Sequence, residues 1–273
     1  MLMQSQLDIA GTLLGTDGPA AKARTSTGSR EPKAASERFW YKLGRSAVSL
    51  FTRTALDMDV QWHGPLPEGP KILAANHPTT TDPFFILTLL PEQTSVLVTG
   101  GAFEVPLFGP YLRNAGHVPV LRNSGGATIR QATDLLRSGR TVAIFPEGAL
   151  SPLKGGIGFH RPRSGVARLA LSSSAPVIPV GIGLQEDRIR TVAVEMEGGQ
   201  EEGRFYTGGQ YAVTVGKPMW FEGNVDNWEY VRLVSGRIMQ RIERLSQQSA
   251  LRIQPTPTIV PSPATGLAAW AAA

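Results

Sequence analysis

The sequence predicts an α/β fold, in which helices cover a central, mostly parallel sheet and an amphipathic helical segment lies on the N-terminal side. Two observations predict it. From residue 71 onward, short apolar runs alternate with segments of helical periodicity, which is typical of a parallel sheet. The chain of 273 residues, 41% of them hydrophobic and 18% charged, is long enough to bury a large core in one domain.

The first predicted element is a basic, amphipathic helix over residues 34–58. Between positions 38 and 53 the helix carries no acidic residue and four basic ones, Arg38, Lys42, Arg45 and Arg53. Its apolar and aromatic residues are Phe39, Trp40, Leu43, Ala47, Val48, Leu50, Phe51 and Leu56. This composition is typical of a helix that lies on an anionic bilayer, so we expect a membrane-interface anchor. The alternative is a helix that docks on the protein core.

The other elements follow along one domain, which we place at residues 34–250. Apolar runs predict strands at 71–75, 95–99, 117–121, 141–145, 176–182, 191–195 and 211–215. Helical periodicity predicts helices at 83–90, 127–136, 164–173 and 228–248. The segments outside this domain, 1–33 (rich in Gly, Ala, Ser and Thr) and 251–273 (rich in Pro and Ala), are predicted to be disordered tails.

Composition excludes several classes of protein. The chain has no cysteine, which rules out disulfide scaffolds, thiolate metal sites and cysteine nucleophiles. Its four histidines are far apart, so we expect no metal site. The chain has neither a phosphate-loop motif nor a dinucleotide-binding fingerprint, and we expect no cofactor. The net charge of +5 does not indicate nucleic-acid binding, because basic and aromatic residues are not interleaved outside the first helix. The apolar runs are too short to span a bilayer and no secretory signal is evident, so we expect a cytoplasmic protein.

The first motif that contains candidate catalytic residues is Asn-His-Pro-Thr-Thr-Thr-Asp, which directly follows the strand at 71–75. On one unbroken helix, His77 and Asp82 would lie about 140° apart. Pro78 predicts a turn between them, and a turn would let the carboxylate orient the imidazole and support it as a general base. The plain alternative is that Asp82 only starts the next helix, with Pro83 at its first position.

Two further blocks supply candidate binding groups. The strand at 141–145 ends in Phe-Pro-Glu-Gly, where Glu147 could accept a hydrogen bond and Gly148 could take a positive φ. The strand at 117–121 ends in Arg122, and the segment 151–168 is basic without an acidic residue. Positive charge at strand ends suits a ligand that carries phosphate. The alternatives are a solvated turn glutamate and a basic loop that aids solubility or touches anionic lipid.

Taken together, these blocks resemble the glycerolipid acyltransferase family, which includes the 1-acylglycerol-3-phosphate acyltransferases. Four blocks occur in the family's order: NHPTTTD at 76–82, the segment 116–122, FPEG at 145–148, and an apolar strand that contains Pro179. The resemblance covers residues 71–183. Outside this stretch, the chain matches the family only in length and character.

The resemblance implies a role for each matching residue. His77 corresponds to the general base and Asp82 to the carboxylate that supports it. Substrate-binding positions are implied at Asn76, Thr79, Arg122, Glu147 and Gly148, with Arg122 matching the arginine that binds the acceptor's phosphate.

One departure concerns that phosphate. The family commonly continues FPEG with Thr-Arg-Ser, whereas this chain has Ala149-Leu150-Ser151. An arginine and a hydroxyl are therefore missing. Arg163 is our substrate-binding candidate to replace the lost charge, and Arg161 and Lys154 are the other two.

The implied reaction is transfer of a fatty acyl group from acyl-CoA or acyl carrier protein to the free hydroxyl of a lysophospholipid. The first choice of acceptor is 1-acylglycerol-3-phosphate, which would give phosphatidic acid, and backbone N–H groups near the turn would stabilise the oxyanion. The alternatives are another lysolipid or a non-phosphorylated alcohol as acceptor, and a lipid- or thioester-binding protein without turnover. A lipid substrate implies peripheral association with the inner face of an anionic membrane. Acyl-chain length, the choice of donor and the oligomeric state stay open.

Overall fold

The structure, a computed structural model, describes residues 30–121, 124–153, 159–196 and 199–254. Its strands are β1 (Leu56–Trp62), β2 (Ile72–Ala75), β3 (Thr94–Thr99), β4 (Val118–Val120), β5 (Thr141–Ile144), β6 (Val177–Leu184), β7 (Ile189–Met196), β8 (Gly199–Tyr206) and β9 (Gly209–Val215). Its α-helices are α1 (Arg30–Ala55), α2 (Asp82–Phe85), α3 (Phe108–Asn114), α4 (Gly125–Arg137), α5 (Gly165–Ser173) and α6 (Trp228–Ala250).

Seven strands form one sheet in the order β1-β9-β6-β2-β5-β3-β4. All neighbouring pairs are parallel except β6 and β9. The predicted α/β class with a mostly parallel sheet is therefore confirmed. Strands β7 and β8 form a separate antiparallel pair, which emerges between β6 and β9.

Helices cover both faces of the central strands. Leu73 and Ala75 of β2 pack in one hydrophobic cluster with side chains of α1 and α2. Ile72 and Ala74 point to the other face and pack with α4, α5 and α6. Because both faces are buried, β2 consists of apolar residues only, and the polar residues that follow it emerge at the carboxyl edge of the sheet.

The predicted helix over 34–58 is wrong at both ends. The helix begins at Arg30, inside the predicted N-terminal tail, and ends at Ala55. Leu56–Trp62 is instead strand β1, which pairs in parallel with β9. The reason is visible in the period: Leu56 is buried, and Met58 and Val60 pack against the core, while the residues between them are exposed.

The predicted C-terminal tail also begins too early. Arg252 donates from Nε to Asp59 Oδ2 at 2.5 Å and from Nη2 to the Val213 carbonyl at 2.9 Å. Gln254 N donates to Gln210 Oε1 at 2.7 Å. These contacts order residues 251–254 against β1 and β9, while residues 1–29 and 255–273 of the two predicted tails lie outside the described residues.

Three elements escaped prediction and one was shortened. The predicted helix takes in only the first three residues of β1. Helix α3 contains Gly109 and Pro110, a pair typical of loops, and β8 is rich in charged residues. The predicted helix at 83–90 is α2 followed by a 3₁₀ turn, Ile86–Thr88, and it ends before Leu90, whose helical conformation Pro91 disfavours. Along the described ranges, no helix is both long enough and apolar enough to cross a bilayer.

Candidate active site

The turn after β2 brings His77 and Asp82 together. His77 Nδ1 lies 3.2 Å from Asp82 Oδ2. Asp82 is the first residue of α2 and is fully buried, whereas the His77 side chain is 17% exposed. Since a carboxylate can only accept, Nδ1 carries the proton and Nε2 of the neutral ring is left as an acceptor. The His77 ring stacks on Phe145 of the FPEG block, with ring centres 4.2 Å apart.

Asp82 is held by three donors besides His77. Thr79 N donates to Oδ2 at 2.6 Å, and Thr79 Oγ1 donates to Oδ1 at 2.7 Å. The hydroxyl of Tyr211 donates to Oδ1 at 2.8 Å. A buried carboxylate needs such partners to replace water. The resemblance places Thr79 among the substrate-binding residues. In the structure it is completely buried, and both its N–H and its hydroxyl donate hydrogen bonds to Asp82.

Tyr211 is a contributor that sequence reasoning missed. It lies on β9, 129 residues after Asp82, and is buried against Phe85 and Tyr206. Burial, reinforced by the charge of Asp82, raises the pKa of the Tyr211 hydroxyl well above its ordinary value. The hydroxyl therefore stays protonated and can donate. Only an apolar strand pattern marked this position in the sequence, so no signal pointed to its contact with Asp82.

Replacing Tyr211 with phenylalanine should destabilise the fold by about 1.5–3 kcal/mol, the usual contribution of a hydrogen bond to a charged group. Tyr41→Phe is the matched control, because the Tyr41 hydroxyl donates at 3.2 Å to a neutral carbonyl, that of Glu92. The control should lose about 0.5–1.5 kcal/mol. Urea unfolding measures both losses. Equal losses would mean that the charge of Asp82 adds nothing to the bond.

The FPEG block faces the same turn from the end of β5. Glu147 is 3% exposed, so the alternative of a solvated turn glutamate is wrong. Its carboxylate accepts from Ser151 Oγ, from His160 N at 3.0 Å and from His77 N at 3.4 Å. Ser151 in turn pairs with both main-chain groups of His77: His77 N donates to Ser151 Oγ at 2.9 Å, and Ser151 N donates to the His77 carbonyl at 2.7 Å. Glu147 and Ser151 thus fix the backbone that carries the imidazole.

Gly148 and Arg163 lie side by side next to this block. Gly148 has a φ of +64°, and a Cβ atom there would lie 2.4 Å from Arg163 Nε. The Arg163 backbone N donates to the Pro146 carbonyl at 2.8 Å, while its side chain is exposed. A guanidinium is therefore packed against the Gly148 turn, where only glycine fits.

Asn76 also lies at the site but is occupied by the fold. Its Nδ2 donates to the Ile182 carbonyl at 3.0 Å, and its Oδ1 accepts from Ile182 N at 2.7 Å. These bonds tie the turn to β6. Gly181 lets α6 approach the same strand, since a Cβ there would lie 2.1 Å from the Leu245 backbone.

The block at residues 116–122 is described only up to residue 121. Arg122 lies outside the described residues, as does Lys154. His117, at the start of this block, accepts from Val96 N at 3.2 Å. Burial lowers the pKa of His117 to about 4, so this imidazole is neutral at ordinary pH and belongs to the core.

Arg204 of β8 is a second residue that sequence reasoning missed. Its Nη1 donates to the Ser151 carbonyl at 2.6 Å, and its backbone exchanges bonds with Thr80: Thr80 N donates to the Arg204 carbonyl at 2.7 Å, and Arg204 N donates to Thr80 Oγ1 at 3.0 Å. Arg204 of β8 therefore binds both loops of the site, the turn after β2 through Thr80 and the segment after FPEG through Ser151.

A cleft of about 590 Å³ opens beside His77. The chain neighbours of His77, Asn76 and Pro78, line it together with Ser151. Its other lining residues include the apolar Leu153, Phe159, Ile182, Leu184, Ala250 and Ile253 and the polar Gln185, Glu186, Asp187, Ser246 and Gln254. We call it the reaction cleft. Its volume and its mixture of apolar and polar lining residues fit an organic ligand. Within the described part of the chain, no three carboxylates or imidazoles lie close enough together to hold a metal ion.

Comparison with known proteins finds similar acyltransferases. A protein-family model described as Acyltransferase matches residues 58–183. The chain is 27% identical over 113 residues to a 1-acyl-sn-glycerol-3-phosphate acyltransferase of Cocos nucifera, covering 40% of this chain and 36% of that protein. It is 29% identical over 119 residues to a 1-acyl-sn-glycerol-3-phosphate acyltransferase of Pseudomonas aeruginosa, covering 42% of this chain and 45% of that protein. The matched stretch thus spans less than half the length of these relatives.

Among solved structures, the chain is similar to the 1-acyl-sn-glycerophosphate acyltransferase PlsC of Thermotoga maritima, with a TM-score of 0.49 and 21% identity over 77% of this chain and 81% of that one. The class of protein is defined by the family model, whose matched residues include the turn with His77 and the FPEG block. This match to residues 58–183 confirms the resemblance to the glycerolipid acyltransferase family that the four sequence blocks carry.

Proposed function

We propose that the protein transfers a fatty acyl group from a thioester donor to the free hydroxyl of a lysophospholipid, with 1-acylglycerol-3-phosphate as the acceptor and phosphatidic acid as the product. The observation that carries the proposal is the His77–Asp82 pair, 3.2 Å apart, beside the reaction cleft that the chain neighbours of His77 line. The donor is acyl-CoA or acyl carrier protein, both of which present the same thioester.

His77 acts as the general base. Its Nε2 removes the proton from the acceptor hydroxyl while that oxygen attacks the thioester carbonyl and forms the new C–O bond. The tetrahedral intermediate then collapses, the C–S bond breaks, and the proton passes from the imidazolium to the leaving sulfur. Asp82 keeps the ring in the required tautomer and stabilises its positive charge. No covalent acyl-enzyme is required.

The oxyanion needs donors other than those first expected. Three N–H groups of the turn already have partners: His77 N donates to Ser151 Oγ, Thr79 N to Asp82, and Thr80 N to the Arg204 carbonyl. Pro78 has no N–H at all. The expectation that the backbone around His77 stabilises the oxyanion is therefore wrong for these groups, because the turn uses them to hold itself in place.

The acceptor's phosphate binds at Arg163 in this proposal. Leu150 stands where the family commonly has an arginine, and the exposed guanidinium of Arg163 packs against the adjacent Gly148. A planar guanidinium binds phosphate through two parallel hydrogen bonds. Arg122 is the second proposed phosphate ligand. The same change at Ala149-Leu150 favours a second candidate function, in which the acceptor is another lysolipid or a non-phosphorylated alcohol.

One assay separates these functions. Purified protein is incubated with acyl-CoA and lysophosphatidic acid, then with a panel of other lysolipids and alcohols, and His77→Ala is run beside each reaction. Phosphatidic acid formed only by the wild type supports the proposal. Turnover of another acceptor alone supports the second candidate, and binding without turnover of any acceptor leaves only a lipid-binding protein.

Membrane association is the second part of the proposal. Helix α1 packs Trp40, Val48 and Phe51 against the core, as the docking alternative expected. The same helix leaves Phe39, Leu43 and Leu50 more than half exposed, and the exposed basic residues Arg38, Lys42 and Arg53 flank them. We propose that this outer stripe lies on the anionic inner face of the membrane, where the lipid acceptor is found.

Changing Arg38, Lys42 and Arg53 together to glutamine should weaken binding to anionic vesicles by roughly a hundredfold. Each basic residue near such a surface contributes about 1 kcal/mol. Arg45 is left unchanged, because its Nε donates to the Leu87 carbonyl at 3.1 Å and it supports the fold. Vesicle flotation gives the measurement, and the control changes three exposed arginines of α4 and α6 to glutamine, namely Arg130, Arg237 and Arg244. Equal losses in the two triple variants would show that α1 is not the contact.

A further inference from the structure

A second cleft, of about 470 Å³, lies between residues 161–164 and the first turns of α6. We call it the α6 cleft. Two guanidinium groups line it, those of Arg161 and Arg232, against one carboxylate, that of Glu229. The balance of charge in the lining is therefore positive, and the positive end of the α6 dipole adds to it.

An aromatic surface accompanies the charge. Trp228, the first residue of α6, lines the cleft and is 58% exposed. The Arg232 guanidinium lies 5.4 Å from the centre of its ring. An exposed indole offers a flat surface on which a nucleobase stacks, and an adjacent guanidinium binds phosphate. This pair suits a ligand that is both aromatic and anionic.

A buried hydroxyl supplies an independent indication of a ligand. Ser235 lines the same cleft and is 3% exposed, and its Oγ has no hydrogen-bond partner among the described residues. Buried polar side chains almost always have a partner. Because the Oγ atom is itself buried, a polar ligand in the α6 cleft would pair with it after the side chain turns toward the cleft.

The same two chain segments contribute residues to the α6 cleft and to the reaction cleft, although no single residue lines both. Phe159 lines the reaction cleft and Arg161 lines the α6 cleft, and between them His160 N donates to Glu147 at 3.0 Å. Helix α6 lines both clefts, with Gly236 at one and Ser246 at the other. The helical rise between these two residues is about 15 Å. A molecule that occupies both clefts would have to extend over about this distance along α6.

We propose that the α6 cleft binds the nucleotide end of acyl-CoA, an inference that rests on the proposed function. The adenine stacks on Trp228, the phosphates bind Arg161 and Arg232, and the long flexible arm between nucleotide and thioester follows α6 to the reaction cleft. The chemistry recognised is that of a phosphorylated nucleotide, which a free nucleotide shares. This assignment makes CoA, rather than acyl carrier protein, the donor that the site favours.

Calorimetric titration of the full chain tests the site without any turnover. Adenosine 3′,5′-bisphosphate and CoA should both bind, and Trp228→Ala or Arg232→Gln should weaken each by roughly tenfold or more. Trp220→Ala and Arg237→Gln are the controls, because both residues are exposed and neither is among the residues that line the α6 cleft. The controls should bind like the wild type. Absence of binding, or equal losses in the controls, would overturn the proposal.

Kinetics separate CoA from a free nucleotide. Trp228→Ala and Arg232→Gln should raise KM for acyl-CoA by roughly tenfold with kcat nearly unchanged, because they remove binding remote from the reacting atoms. An unchanged KM, together with equal affinity for ADP, would indicate a free-nucleotide site and overturn the assignment to the donor.

The two proposals can fail separately. His77→Ala should bind CoA as the wild type does, since His77 does not line the α6 cleft. CoA binding that depends on Trp228 and Arg232 in a wild type without acyl transfer would support the site and overturn the proposed function. Acyl transfer that depends on His77 in a protein that binds no nucleotide would do the reverse.

Discussion

Replacing His77 with alanine should reduce the rate of acyl transfer by roughly 10²–10⁴-fold, the usual contribution of a positioned general base. The imidazole is the group that can accept the hydroxyl proton, and no alanine atom takes over that role. The variant keeps the two main-chain bonds between residue 77 and Ser151, so the turn should retain its shape. The stacking on Phe145 is lost, which we expect to cost little stability.

Steady-state rates of His77→Ala, measured with acyl-CoA and lysophosphatidic acid, are compared with those of His63→Ala. His63 follows strand β1, and its backbone N pairs with the Val215 carbonyl rather than with a residue of the turn that carries His77 and Asp82. Circular dichroism should show both variants folded. Turnover at the wild-type rate in a folded His77→Ala protein would rule out His77 as the base.

Replacing Asp82 with asparagine should reduce the rate by roughly 10²–10³-fold with little change in geometry. The hydroxyls of Thr79 and Tyr211 can rotate to accept from the new amide, so the amide oxygen can still face His77. What the variant lacks is the negative charge beside the imidazolium. A unit charge at about 4 Å contributes about 4 kcal/mol at an effective dielectric constant of 20, which is enough for a loss of this size.

The rate of Asp82→Asn is compared with that of Asp57→Asn, an exposed aspartate on β1. Assays are run below the unfolding temperature of each variant, so that stability does not enter the comparison. The control should be fully active. If Asp82→Asn keeps the wild-type rate, the carboxylate serves only to start α2, as the plain alternative for Asp82 holds.

Local sequence was informative wherever the partners lie within one turn or one strand. The seven residues of NHPTTTD contain the imidazole, the carboxylate and the threonine that orients it, and their contacts are made within six positions. The apolar runs likewise predicted the parallel sheet, because a strand that is buried on both faces consists mainly of apolar residues. Where a pattern was short or ambiguous, as at Leu56–Trp62, helix and strand could not be distinguished without the partner strand β9.

The contacts of two predicted substrate-binding residues, Glu147 and Asn76, could be known only from the tertiary structure. From sequence, Glu147 had two readings, a ligand for substrate or a solvated turn residue. The structure buries it beneath Ser151 and the His77 backbone. Asn76 is adjacent to His77 in sequence, yet its amide bonds to Ile182, 106 residues away. Such contacts cannot be read from spacing, because the sheet order sets them and the sequence does not state it directly.

By itself, the sequence determined the class of fold, the family and the pair of side chains best suited to acid–base chemistry, since each depends on periodicity or on residues close together along the chain. Only the tertiary structure decided what surrounds that pair: the Tyr211 hydroxyl on Asp82, the Arg204 brace on Ser151, and the two clefts along α6. The physical reason is that burial and hydrogen bonding are properties of neighbours in space. Here those neighbours come from strands and a helix that follow the family's matched residues by tens of positions.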